Sequence, residues 1–126
     1  MSRNIMPSGE VDPQFEYRIV RFGGHKILKL SGEIDAFTAP QFKHSMMSIL
    51  NDTEKHLILD MHNIKYMDSS AIGVLMFTVK QLIPINGSIT LVGCTPTLDH
   101  IVRIYHMPSA ISLCSSLKEA IIAISA

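Results

Sequence analysis

Asp68-Ser69-Ser70 stands directly before Ala71-Ile72-Gly73-Val74-Leu75, and apolar residues continue at helical spacing through Met76, Val79, Leu82 and Ile83. Aspartate and serine are residue types that cap helix N-termini. Such a terminus presents unpaired N–H groups and the positive end of the helix dipole. A hydroxyl placed there is suited to carry a phosphate or to hold a bound one. Read from spacing alone, capping is the commoner role, with Ser70 accepting an N–H bond while Ser69 faces solvent, or the two exchanging roles. A second cluster, Gly32-Glu33-Ile34-Asp35, closes an apolar strand. Carboxylates at a strand's C-terminal end lie where α/β proteins build sites, although a solvated turn is the plainer reading. Asp35 and Asp68 both occupy strand–helix junctions, so a fold can bring them together.

Other chemistries find less support. Ser69 has no Gly-x-Ser-x-Gly elbow, because Met67 and Ala71 occupy the glycine positions. No Gly-x-x-x-x-Gly-Lys phosphate loop is present. His56 and His62 are separated by about 20 Å if they lie on one strand, and His100 and His106 fall on different faces of a helix. No metal site is therefore expected, and no cofactor.

The 126 residues match one domain able to bury a core without staples. Hydrophobic residues are 47% and charged residues 17%, which excludes a disordered or fibrous chain. Eleven basic residues balance eleven acidic ones, so nothing in the charge calls for nucleic acid. Cys94 and Cys114 make neither a disulfide framework nor a metal pattern. Met1–Gly9 lacks the apolar run of a signal peptide, and the stretch around 71–77 is too short for a membrane span. A cytoplasmic protein with reduced thiols and no membrane partner is the expectation.

Residues 1–14, broken by Pro7, Gly9 and Pro13, read as a flexible tail. Phe15–Phe22 alternates as a strand with Phe15, Tyr17 and Ile19 on its apolar face. Gly23-Gly24 turns it into a return strand from His25 to Leu30. Thr38, Pro40 and Gln41 open a helix in capping-box fashion, with Phe42, Met46, Ile49 and Leu50 as its buried stripe and Asn51-Asp52 as its end. His56–Met61 is a covered strand. The helix after Asp68 exits at Pro84 and Gly87. Ser88–Gly93 is a strand, and Thr95-Pro96 opens a helix with Leu98, Ile101, Val102 and Tyr105 inward. Ile111–Cys114 is the last strand, and Ser116 with Glu119 caps a helix through Ile124. The order β-β-α-β-α-β-α-β-α predicts a mixed, mostly parallel sheet.

Leu30-Ser31-Gly32-Glu33-Ile34-Asp35, Thr38-Ala39, Leu57-Ile58-Leu59-Asp60 and Tyr66-Met67-Asp68-Ser69-Ser70-Ala71-Ile72-Gly73-Val74-Leu75 together resemble the anti-sigma factor antagonists, the stand-alone STAS domains of bacteria. The resemblance runs from about Phe15 to the C-terminus. It implies an α/β, STAS-like fold with about four α-helices packed on the sheet, a tail at 1–14 and the domain at 15–126. It also implies a binding protein rather than an enzyme. The unmodified form binds a serine kinase that doubles as an anti-sigma factor and so frees the sigma factor. The kinase phosphorylates the serine after the aspartate, here Ser69, which blocks binding, and a serine phosphatase reverses this. The implied partner surface comprises Gly32, Glu33, Asp35, Asp68, Ser69, Ser70 and Ala71. Ala71 stands where the family usually has glycine. The alternative within the fold is a scaffold or sensor subunit of a signalling assembly. From another class, a small nucleotide-binding or hydrolytic domain would use the helix start at Ser69.

Overall fold

The computed structural model describes residues 14–50, 54–105 and 107–125. The tail expected at 1–14, apart from Gln14, and the helix end expected at Asn51-Asp52 lie outside them. Five strands form one sheet in the order β1-β2-β3-β4-β5, with β1 Phe15–Phe22, β2 His25–Ile34, β3 His56–Met67, β4 Ser88–Val92 and β5 Ile111–Cys114. The β1–β2 pair is antiparallel and the other three pairs are parallel, as the element order requires. Four helices follow their strands: α1 Ala39–Met47, α2 Ser69–Leu82, α3 Pro96–Ile104 and α4 Leu117–Ser125.

Strand alternation sorts the apolar residues into two cores. Leu28, Leu30, Leu57, Leu59, Ile89, Leu91 and Ile111 face α1, α2 and α3, whose Phe42, Met46, Leu75, Val79 and Val102 close over them. Ile27, Ile58 and Val92 face the other way, against Ala120 and Ile121 of α4. Three helices therefore cover one face of the sheet and one covers the other.

Several elements differ from the sequence reading. β2 continues past Leu30 to Ile34, and β3 runs on to Met67 instead of ending at Met61. The cause lies in the register. Lys29 pairs with Asp60 but Ser31 with Asn63, and Gly32 with Ile64 but Glu33 with Tyr66, so β3 carries an extra residue at each of two bulges. Its buried positions become Met61, Ile64 and Met67, every third residue, which hides a strand from a period-two search. On β1 only Phe15 of the expected apolar face is buried, and Tyr17 and Ile19 are exposed, because this strand is the sheet's edge. α1 ends at Met47, short of Ile49 and Leu50. Ile83 is exposed in a 3-10 turn at Ile83–Ile85, and Tyr105 is exposed just beyond α3. The Gly23-Gly24 turn is as expected, with both φ values positive.

Gly32 sits between the two bulges with φ +103, and an added Cβ would lie 2.0 Å from the Gln14 carbonyl oxygen. Only glycine satisfies both constraints. Replacing Gly32 by alanine should destabilise the protein by about 3 kcal/mol or more. Urea denaturation monitored by circular dichroism checks this, with a lowered midpoint and an unchanged slope expected.

Candidate functional site

The extension of β2 and β3 carries both sequence motifs to the same end of the sheet. Ile34 pairs with Met67, and the Asp68 N–H donates to the Ile34 carbonyl at 3.2 Å. The residues that follow, Asp35 and Ser69, therefore leave adjacent strands side by side. Glu33 pairs with Tyr66 one step earlier.

The Asp35 loop is held by its own side chains. Asp35 Oδ1 accepts from the Phe37 N–H at 2.9 Å and the Thr38 N–H at 3.0 Å. Thr38 was expected to cap α1 with Gln41 reaching back, but its side chain makes no cap bond. Its hydroxyl instead accepts from the Asp35 N–H at 2.9 Å and donates to the Glu33 carbonyl at 2.8 Å. It is buried and pins both sides of the loop. Sequence reading missed this positioning role, because Thr before Ala-Pro-Gln carries the signature of a cap. Phe37, at the loop tip, is 66% exposed and Tyr66 is 43% exposed. Large apolar groups thus border the acidic turn.

At α2, Asp68 supplies the cap. It has extended backbone geometry, and its Oδ1 accepts from the Ser70 N–H at 2.8 Å. Ser70 was expected to cap; it is half-buried in the first turn and receives the cap bond through its backbone. Ser69 is the first helical residue and is exposed. Its hydroxyl stands at the positive end of a 14-residue helix, next to one carboxylate. Ala71 is fully buried, with its N–H on the Asp68 carbonyl at 3.1 Å. Its methyl group is part of the core and its backbone has no positive φ. Behind the site, Lys43 of α1 lies over the Phe77 ring of α2 at 4.0 Å, tying the two helices together.

The histidines are placed otherwise. His56 meets the Ser88 hydroxyl at 2.8 Å, and His62 meets Asp60 at 2.6 Å. His106 lies outside the described residues. Among the described residues no group of three His, Cys, Asp or Glu is arranged to hold a metal ion. No described helix is long and apolar enough to cross a membrane.

Residues 16–120 match the STAS domain family, and the chain belongs to it. A curated relative, the anti-sigma-B factor antagonist of Staphylococcus aureus, is 25% identical over 80 residues, which are 64% of this chain and 71% of that protein. Among solved structures, an anti-sigma factor antagonist from Mycobacterium paratuberculosis superposes with a TM-score of 0.77 at 20% identity, covering 89% of this chain and 95% of that one. SpoIIAA, an anti-sigma factor antagonist, matches in its unphosphorylated form with a TM-score of 0.71 at 18% identity over 87% and 96% of the two chains. Its phosphorylated form from Bacillus matches at 0.64, again at 18% identity, over 86% and 99%. These structures share the five-stranded, mostly parallel architecture expected from the sequence.

Asp68→Ala should cost about 1 kcal/mol by loss of the cap, Asp68→Asn much less, and Ser70→Ala little; thermal unfolding of the three variants ranks them. Burial, and secondly the nearby Asp99 carboxylate, push the Cys94 thiol up from 9.0 to about 11. The folded thiol holds its proton where the unfolded one has lost it. Any stability from this shift is complete below pH 9.0 and is lost as pH rises toward about 11. Alkylation of Cys94 by iodoacetamide should accordingly be much slower in the folded than in the urea-unfolded protein at pH 9, with mass spectrometry as the readout.

Proposed function

We propose that this chain is an anti-sigma factor antagonist that works by partner switching. Its unphosphorylated form binds a serine kinase that is also an anti-sigma factor, and phosphorylation of Ser69 blocks that binding. The observation that carries the reading is the exposed Ser69 hydroxyl at the start of α2, beside the Asp35 loop, on strand ends locked together by backbone pairing. The names of the relatives support it: one is an anti-sigma-B factor antagonist, and another, SpoIIAA, exists in phosphorylated and unphosphorylated forms.

The physical consequence of modification is local. A phosphate adds about −1.5 to −2 charge next to Asp68, with Asp35 on the neighbouring strand end. The helix N-terminus stabilises that charge, so the domain stays folded. A partner surface fitted to a neutral hydroxyl must then desolvate the phosphate, which weakens the complex. Glu33, Asp35, Asp68 and Ser70 complete the docking surface, and Gly32 and the fully buried Ala71 support it from beneath through backbone shape and core packing. The chain binds and is modified, and it catalyses nothing itself; a serine phosphatase restores the binding form.

Incubation with the native kinase and ATP should place one phosphate on Ser69, seen by mass spectrometry, and none in Ser69→Ala. Ser69→Asp and Asp35→Ala should each lower affinity for the kinase at least tenfold by calorimetry. Ala71→Gly should change the phosphorylation rate only modestly, since Ala71 sits in ordinary helix. Phosphate on another residue, or affinity unchanged in both binding variants, would sink the proposal.

A further inference from the structure

The second half of the sheet contains a crevice remote from Ser69. The chain leaves β4 toward α3 on one face of the sheet and leaves β5 toward α4 on the other face. Adjacent parallel strands whose connections diverge in this way open a gap beyond their carboxyl ends, the place where open α/β sheets take up ligands. A cavity of about 460 Å3 occupies that gap, lined by Gly93 and Cys94 after β4, Cys114 and Ser115 at the end of β5, and His62 from β3. Asp99 and Arg103 of α3 and Leu113 of β5 also line it. The bulged second half of β3, from Asn63 to Met67, separates His62 from Asp68, so this is a second location on the domain.

Its polar groups are aimed. The buried Asp60 carboxylate accepts from the His62 backbone N–H at 3.1 Å and meets its Nδ1 at 2.6 Å, leaving Nε2 for another partner. The ring lies against Gly93: a Cβ there would stand 2.3 Å from His62 Cε1 and Nε2, and Gly93 also has φ +73. Arg103 donates through Nε to Asp99, which leaves its terminal N–H groups available. The Ser115 hydroxyl donates to Glu119 at 2.7 Å. Each carboxylate near the crevice is thus engaged in holding a donor. Burial and the neighbouring Asp99 and Glu119 carboxylates raise both thiols, which therefore stay protonated at neutral pH and add no negative charge. The N-termini of α3 and α4, capped by Thr95 and Ser116, open at the same end of the sheet.

We propose that this crevice binds the oxyanion group of a small molecule, a phosphate or a carboxylate, through His62 Nε2 and the Arg103 guanidinium. Such a ligand meets two cationic or cation-forming donors whose geometry is already set by Asp60 and Asp99. With Asp60 on Nδ1 and the anion on Nε2, both ring nitrogens donate. The bound ligand would bridge α3 and the end of β3 without touching the Ser69 surface.

The test is a nitrogen-15 NMR titration of the full chain with sodium phosphate and, separately, sodium acetate, each against sodium chloride at equal ionic strength. Saturating shifts confined to the Gly93, Cys94 and Ser115 amides and the His62 ring are expected with at least one anion. Phosphate alone identifies a phosphorylated ligand, and acetate alone a carboxylate. His62→Gln and Arg103→Ala should each weaken binding about tenfold. Both side chains are more than half exposed, so the variants keep the fold, which the same spectra verify. Shifts that follow chloride, that saturate elsewhere, or that persist undiminished in both variants would overturn the proposal. Phosphorylation of Ser69 in the two variants is read separately, so this outcome stands apart from the partner-switching result.

Discussion

The parallel pairing of β2 with β3 is the constraint on which the site depends. Ile34 opposite Met67, reinforced by the Asp68 N–H on the Ile34 carbonyl, brings two junctions more than thirty residues apart in sequence to the same edge. Two bulges in β3 make that alignment possible, because without the two extra residues Met67 would not arrive opposite Ile34. Gly32 accommodates the bend at the point where the Gln14 carbonyl presses closest. A change to this register would turn the apolar faces over as well as separate the loops, so core packing and site geometry reinforce one another.

The site is rigid below and exposed above. Ile34, Met67, Ala71 and Ile72 are buried in the larger core, while Asp35, Ser69 and Phe37 stand outside it. Asp35, Thr38 and Asp68 spend their hydrogen-bonding capacity on nearby backbone, which holds two short loops without help from a ligand. This arrangement suits a module read by a partner protein. Under the proposed function, charge added at Ser69 would alter what the partner meets and leave the scaffold in place. The same backbone pairing that stabilises the domain is what preorganises its surface.

The two faces of the sheet carry unequal loads. Three helices on one face build the larger core and the Ser69 surface, and α4 alone closes the other. That asymmetry opens the gap between the ends of β4 and β5, where His62, Gly93 and Arg103 meet. One small domain thereby presents two distinct polar features, an exposed hydroxyl at the β2–β3 end and a polar crevice at the β4–β5 end.

The order of elements, the mixed sheet, the Gly-Gly hairpin and the helix starting after Asp68 were legible in the sequence, because period, breakers and capping residues are local signals. The family was legible from two short motifs that matter only in combination. The true lengths of β2 and β3 were not, since a bulged strand buries every third residue and loses its alternation. The cap on α2 was assigned to a serine because Asp68, Ser69 and Ser70 are equally good candidates by type; only the backbone geometry chose Asp68. Thr38 looked like a helix cap and became a loop clamp, because its hydroxyl lies nearer the end of β2 than the first turn of α1. The crevice at His62 left no trace in sequence at all. It arises from two helices passing to opposite faces of the sheet, and which face a helix takes is decided by long-range packing of the apolar residues at both strand ends.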